Sequence, residues 1–134
     1  MRSWGQRVMY RRWQMFLTLG VLIVTSSCSL FEMGCDTLGR PAVTVGVTDA
    51  QTGADALAGA TVTVTDGHFI ETHVVPDDPS RTGRLGAAIG RSGTYAVAVT
   101  KVGYQPWTRD GIVVTQNDGC HVRTVNVDAA LSGQ

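Results

Sequence analysis

The sequence predicts an all-β domain, a two-sheet sandwich of about seven short strands that follows a separate N-terminal segment. Three observations support this fold class. Apolar residues alternate at period two after residue 40, turn-forming Gly, Pro, Asp and Asn separate the alternating segments, and no helical periodicity interrupts them. The 134-residue chain has room for one small domain. A barrel remains the alternative, because strand pattern alone does not separate it from a sandwich.

The first 27 residues have the pattern of an export signal. Basic, mixed residues 1–14 precede ten nearly continuous apolar residues at 15–24, and small residues follow. Ten residues cover about half of the roughly 20 that a transmembrane helix needs. We therefore expect residues 1–27 to be removed, with a retained N-terminal anchor as the alternative.

Cys28 follows this segment in the sequence Thr25-Ser26-Ser27-Cys28, which resembles the bacterial lipobox. The resemblance implies that Cys28 carries lipid and becomes the mature N-terminus, with residues 28–40 as a tether. Lipid anchoring would make the membrane a partner, and Ser29 resembles the outer-membrane pattern if the host has two membranes. Thr25 stands where a lipobox usually has Leu, Val or Ile, so a plain secretory signal cut near Ser27 is the alternative.

The charge balance weighs against nucleic acid as a partner. Four of the eleven basic residues lie in the first twelve positions. From Cys28 onward, 7 Lys and Arg face 11 Asp and Glu, which gives the processed chain a net charge of −4. An acidic domain gains no counterion-release attraction to nucleic acid.

Three cysteines leave one unpaired in an exported chain. Assigning Cys28 to lipid leaves Cys35 and Cys120, which can form a disulfide in an oxidising compartment. The alternative is a pair of reduced thiols, because geometry decides whether a bridge can close.

Seven segments have the pattern of strands and are joined by turn signals. Asp49 can hydrogen-bond the backbone ahead of it, and Gly53 can take a positive φ. Further turns are expected at 66–67, 76–80, 90–93, 108–111 and 117–119. The predicted strands are residues 42–48, 60–65, 69–75, 84–89, 93–100, 112–115 and 121–131.

The fifth and seventh predicted strands carry the clearest core pattern. Tyr95 shares one face with two valines, and Gly103 ends that segment. In the last strand Val122 has even parity, whereas the apolar residues from Val125 onward have odd parity. A β-bulge near residues 123–124 would bring both sets to one face.

These segments resemble the carboxypeptidase regulatory-like domains of the transthyretin-like (prealbumin-like) β-sandwiches. The resemblance rests on VTVGVTDAQTG, LAGATVTVTD and GTYAVAVTKVGY and covers roughly residues 42–131. It implies a Greek-key sandwich over residues 41–132 that acts without catalysis in binding, adhesion or assembly at the cell envelope. The segment DGCHV resembles the start of the last strand in bacterial lipoprotein members with a paired cysteine, which implies a Cys35–Cys120 bridge.

The histidines and the acidic loop give only weak support for an enzyme. His68 and His73 are five apart, and His121 lies far away without a cysteine cluster, so we expect neither a metal nor another cofactor. Asp77 and Asp78 offer few of the six to eight oxygens that calcium prefers. The C-terminal Tyr-Arg-Gly-Ser motif of the hydroxyisourate hydrolases is absent. An exported small hydrolase or metal-dependent enzyme is the alternative function.

Tyr104 and Trp107 form the candidate contact surface, because aromatic rings beside polar groups suit carbohydrate or peptide ligands. A carbohydrate-binding module that uses both rings is therefore a further alternative, with an envelope protein or glycan as partner. The competing interpretation is that both rings cap the core, since a domain this small needs its aromatic residues for burial.

Overall fold

The computed structural model describes residues 37–117 and 119–134, and within them the chain forms strands, turns and no helix. Seven strands are present: β1 (Pro41–Asp49), β2 (Thr61–Asp66), β3 (Phe69–Val74), β4 (Arg84–Ile89), β5 (Gly93–Thr100), β6 (Trp107–Val114) and β7 (Val125–Leu131). The described part of the chain accordingly offers no helix long and apolar enough to span a bilayer. The predicted signal segment, Cys28 and Cys35 lie outside the described residues.

The strands form two sheets, with orders β4-β1-β7 and β3-β2-β5-β6. The chain therefore changes sheet four times, after β1, β3, β4 and β6. Strands β1 and β7 run parallel, and the other described pairs are antiparallel. The predicted all-β sandwich of seven strands is confirmed, and the barrel alternative is not adopted.

The core lies between the sheets and is built mainly from small and β-branched side chains. Period-two alternation supplies it, because every second residue of a strand points to the same face. Tyr95 and Leu131 are the two largest of its fully buried side chains. Around them pack the inward residues of four strands: Val43, Val45, Val47, Val62, Val64, Val97, Val99, Val127 and Ala129.

The turn predicted at residues 108–111 is wrong, because β6 runs through it. Tyr95 pairs with Ile112 and Val97 pairs with Arg109, so the two strands lose register between these pairs. Gly111 sits at this β-bulge with a φ of 69°, a conformation that glycine adopts at little cost. The Gly signal was correct, but it marks a bulge within a strand.

The bulge predicted near residues 123–124 is also wrong. Strand β7 begins at Val125 and pairs with β1 in unbroken register. Val122 lies before the strand, in an isolated bridge with Gln116, and is 3% exposed. A break in the strand, stabilised by a 2.8 Å hydrogen bond from Arg123 N to Thr115 O, brings Val122 to the core.

Strands β3 and β4 are edges of different sheets, and a carboxylate connects them. Glu71 Oε2 on β3 accepts a 2.8 Å hydrogen bond from the backbone N–H of Ala88 on β4. Ala88 is fully buried and has a φ of 55°, so its N–H needs a partner that the regular ladder does not provide. This hydrogen bond connects the two sheets at their β3 and β4 edges, and it occupies a backbone N–H of an edge strand.

Candidate functional site

Tyr104 belongs to the predicted aromatic contact surface and is held by contacts on several sides. Its hydroxyl donates a 2.9 Å hydrogen bond to Asp49 Oδ2, and the Lys101 ammonium lies 5.7 Å from the ring centroid. Its neighbour Gln105 donates from its backbone to Ser132 O at 2.8 Å. Tyr104 thus connects the first turn, the segment after β5 and the C-terminal residues.

Asp49 organises the turn that meets Tyr104, as the sequence predicted. Its Oδ1 accepts hydrogen bonds of 2.8 Å from the backbone N–H groups of Gln51 and Thr52, and Gly53 has a φ of 70°. These bonds, that of Thr52 first, and the Tyr104 hydroxyl lower the pKa of Asp49. The hydrogen bond to the same carboxylate raises the pKa of Tyr104. The pair therefore favours an ionised Asp49 and a protonated Tyr104 hydroxyl.

Trp107 begins β6, where it pairs with Val99 of β5. Its ring and that of Tyr104 are half-buried and pack against the core. This burial agrees with the core-capping interpretation for both residues. Contact of either ring with a ligand stays a prediction. A ligand that bonds to the Tyr104 hydroxyl would compete with the hydrogen bond from that hydroxyl to Asp49.

The histidines and the acidic loop fall in separate places. His68 is exposed in the turn between β2 and β3, whereas His73 Nε2 lies 2.6 Å from Glu71 Oε1 on the same strand. Asp78 accepts a 2.9 Å hydrogen bond from Ser80 N, which lowers its pKa. Within residues 37–117 and 119–134 no three potential metal ligands form a group.

A cleft of about 260 Å³ opens beside the edge strands β3 and β4, at a position that the sequence did not predict. Its apolar lining comes from three elements: the segment before β2, the end of β3 with the residues after it, and the start of β4. Leu57, Val74, Val75, Pro76 and Leu85 form this lining. Apolar walls with a few polar groups are typical of small-molecule sites.

Hydrogen bonds hold the wall of the cleft, residues 75–83, at both ends. Val75 N donates to Ala60 O at 2.9 Å at the start of the wall. At its other end Gly83 N donates to Asp55 Oδ2 at 2.8 Å, and Asp55 Oδ1 accepts from Leu57 N at 2.9 Å. One carboxylate therefore fixes two sides of the cleft, which stands preformed.

The polar lining of the cleft is basic: His73, Arg81 and Arg84, with Thr82 beside them. Arg84 is already engaged, because its guanidinium donates to Asp128 Oδ1 at 2.6 Å and to the carbonyl oxygens of Thr44 and Val127. Arg81 is exposed, and its guanidinium forms no hydrogen bond or ion pair with any residue of the described ranges. The positive charge available at the cleft belongs mainly to Arg81.

The sequence predicted a turn at residues 76–80 but did not single out Asp55, Arg81 and Arg84. A signal was present, because two arginines follow the proline-flanked loop at spacing three. Their meaning depends on which strands become neighbours. Arg84 and Asp128, for example, are 44 positions apart in the sequence.

Of the three cysteines, Cys120 alone lies within the described residues. Cys120 is half-buried beside the start of the last segment and has an interaction partner. Cys35, its predicted partner, and Cys28 both lie outside the described ranges. Lipidation of Cys28 and the Cys35–Cys120 disulfide therefore stay predictions.

No protein family model and no curated protein matches the chain. Among solved structures, it resembles a candidate carbohydrate-binding protein from Bacteroides uniformis, with a TM-score of 0.47 and 18% identity over 68% of this chain. It also resembles a candidate membrane-associated protein of unknown function from Bacteroides fragilis, with a TM-score of 0.41 and 24% identity over 68% of this chain. The chain matches 41% and 27% of those proteins' lengths, respectively.

Proposed function

We propose that this protein is a lipid-anchored, non-catalytic β-sandwich of the bacterial cell envelope that binds a ligand in the cleft beside β3 and β4. The observation that carries the proposal is the preformed cleft, with its apolar lining and basic rim. A site that is formed before binding spends little free energy on ordering. Binding is therefore the function that this geometry supports best.

The proposed anchor rests on the N-terminal sequence. A basic segment, a short apolar segment and small residues precede Cys28, as in an export signal followed by a lipidated cysteine. Several acyl chains on one residue hold firmly, since each buried CH₂ contributes about 0.8 kcal/mol. The tether, residues 28–40, would then join the lipidated Cys28 to the sandwich. The outer membrane is the proposed location in a host that has one.

The proposed Cys35–Cys120 disulfide would fasten the end of this tether to the sandwich. Cys120 lies in the loop that the bridge between Gln116 and Val122 closes. A loop of about 85 residues, closed covalently, restricts the unfolded chain by several kcal/mol in the entropy model. The bridge would thus attach the N-terminal residues covalently to the segment before β7.

Fatty-acid labelling tests the anchor. Cells that express the protein are fed a radioactive fatty acid, and the wild type is compared with Cys28→Ala and with Cys35→Ala as a matched control. We expect label in the wild type and in Cys35→Ala, and none in Cys28→Ala. Equal labelling of all three, or none in any, would contradict lipidation at Cys28.

Site-specific photo-crosslinking in intact cells tests the binding function. A photoreactive amino acid replaces Thr82, on the rim of the cleft, or Thr94, an exposed residue of β5 that serves as the control. We expect adducts that form from position 82 and not from position 94. Equal yields at the two positions would show that the cleft has no special role.

A second candidate function, carbohydrate contact through Tyr104 and Trp107, is favoured by one observation. Trp107 lies on an edge strand with its ring half-buried, so part of the ring remains open to a sugar. A glycan panel with wild type and Trp107→Ala decides this. Unchanged binding after the substitution would remove the candidate.

A further inference from the structure

The charge of the cleft indicates which chemical class of ligand it takes. The groups that line it include two arginines and one histidine, and no carboxylate is among the lining residues that the structure describes. This contrasts with the acidic charge of the domain, where 11 Asp and Glu outnumber 7 Lys and Arg from Cys28 onward. A basic rim on an acidic domain focuses negatively charged ligands toward the cleft.

Of the acidic groups nearest the cleft, Asp77 in the wall has its carboxylate beside Gly59, and three others have hydrogen-bond partners. Glu71 accepts from Ala88 N with one oxygen and contacts His73 Nε2 with the other. Asp55 uses both oxygens on backbone N–H groups. Asp78 lies close enough to Arg81 for that charge to contribute to its lowered pKa, but its carboxylate bonds first to Ser80. None of these carboxylates neutralises Arg81 through an ion pair in the described structure.

We propose that the cleft binds a small monocarboxylate with a short aliphatic body, whose carboxylate meets the Arg81 guanidinium while its body lies against Leu57, Val75 and Leu85. This inference rests on the proposed function, since it names the ligand class of the same cleft. A guanidinium binds a carboxylate through two parallel N–H···O hydrogen bonds, and the Arg81 guanidinium donates to none of the residues that the structure describes.

The size and lining of the cleft set the rest of the ligand. A volume of about 260 Å³ lies just below the range typical of drug-sized ligands, so the body is a few carbons long. Aliphatic walls stabilise an aliphatic body by removing it from water. Arg84 also lines the cleft, and its guanidinium is held by Asp128. The aliphatic stem of Arg84 therefore adds to the apolar wall, while its charge is paired with that carboxylate.

The test compares isovalerate with its neutral amide, isovaleramide, which has nearly the same shape. Binding to the exported protein in detergent micelles is followed by the amide NMR signals of Thr82 and Leu85. We expect isovalerate to bind about tenfold or more tightly than isovaleramide, because a charge-assisted hydrogen-bond pair is lost with the carboxylate. Added salt should weaken the binding of isovalerate and leave that of isovaleramide unchanged.

Arg81→Gln should weaken isovalerate binding by about tenfold and leave isovaleramide unaffected, and Arg81→Lys should recover part of the loss. Arg109→Gln, an equal change of charge on β6 at the far edge of the sheet, is the matched control and should bind like the wild type. Equal binding of acid and amide, an unchanged Arg81→Gln variant, or no signal shift at saturation would overturn the inference. If position 82 still gives adducts in cells, the cleft binds another class of ligand; if it does not, the proposed function itself fails.

Discussion

Removal of one buried hydroxyl, by Tyr95→Phe, should lower the stability of the sandwich by a predictable amount. Tyr95 is 1% exposed, and its hydroxyl donates a 2.8 Å hydrogen bond to Arg91 O. Its ring meets Phe69 edge to face, with centroids 6.4 Å apart, and Phe69 lies under the Arg91 guanidinium. Phenylalanine keeps these ring contacts and loses only the hydrogen bond.

The expected loss is about 1 kcal/mol, the usual net contribution of one partly buried hydrogen bond. For a domain of this size, that lowers Tm by about 4–8 °C. Circular dichroism during heating and during urea denaturation measures both quantities. A Tm equal to that of the wild type would mean that water satisfies the Arg91 carbonyl in the variant. A loss above about 3 kcal/mol would mean that the ring itself had moved, and either result would refute the reasoning.

An alkaline arm of the same experiment checks the burial of the hydroxyl by a different property. Burial, chiefly, raises the pKa of Tyr95 in the folded protein. The unfolded chain therefore loses this proton first, at the usual pKa of about 10. The stability that comes from keeping Tyr95 protonated is present below that pH and is lost as pH rises through the folded pKa. Tyr95→Phe should consequently lose less stability between about pH 9 and 11 than the wild type does.

Three further changes test the core, the first turn and the strand bulge, and a fourth tests the cleft wall. Leu131→Ala removes a fully buried side chain and should lower the free energy of unfolding by about 2–5 kcal/mol in urea denaturation; a loss below about 1 kcal/mol would contradict its place in the core. Asp49 has a lowered pKa, so its contribution to folding stability is present above its usual pKa of about 4 and is lost as pH falls through the folded pKa. Asp49→Asn should therefore flatten the acid side of a plot of stability against pH. An unchanged plot would argue against the hydrogen bonds from Gln51 and Thr52 to this carboxylate. Gly111→Ala forces a side chain into a positive φ and should cost about 1 kcal/mol or more by thermal denaturation, whereas no cost would mean that the bulge shifts. Asp55→Ala should speed hydrogen exchange at the amide of Gly83 and leave β5 protected; equal exchange rates would show that other contacts hold the wall.

Much of the fold could be predicted because period-two alternation is a property of the strand itself. Tyr95, Val97 and Val99 face the core whichever strands lie beside them, so the sequence alone determines which side is buried. Asp49 and Gly53 likewise act locally, within one turn. Features that depend only on neighbours in sequence were therefore predicted correctly.

The errors concern features that a partner strand decides. Glycine at 111 suits either a turn or a bulge, since both use a positive φ, and only the register with β5 distinguishes them. Val122 reaches the core through its bridge to Gln116, a contact that parity within one segment does not reveal. The seven strands were predicted, but the extent of β6 and β7 required knowledge of their neighbours.

The cleft could not be predicted for the same reason, since its two sides come from edges of different sheets. Among the strands that the structure describes, β3 is an edge strand that pairs only with β2, and β4 is an edge strand that pairs only with β1. The side chain of Glu71 connects the two strands at Ala88. The cleft lies farther along, where residues 75–83 form its wall near Arg81. Exposed edge strands are prone to pair with other chains, and the Glu71 carboxylate occupies one backbone donor on this side, the N–H of Ala88. The cleft lies beside this contact, and substitution of an exposed residue such as Arg81 changes the charge of the cleft without removing a core side chain.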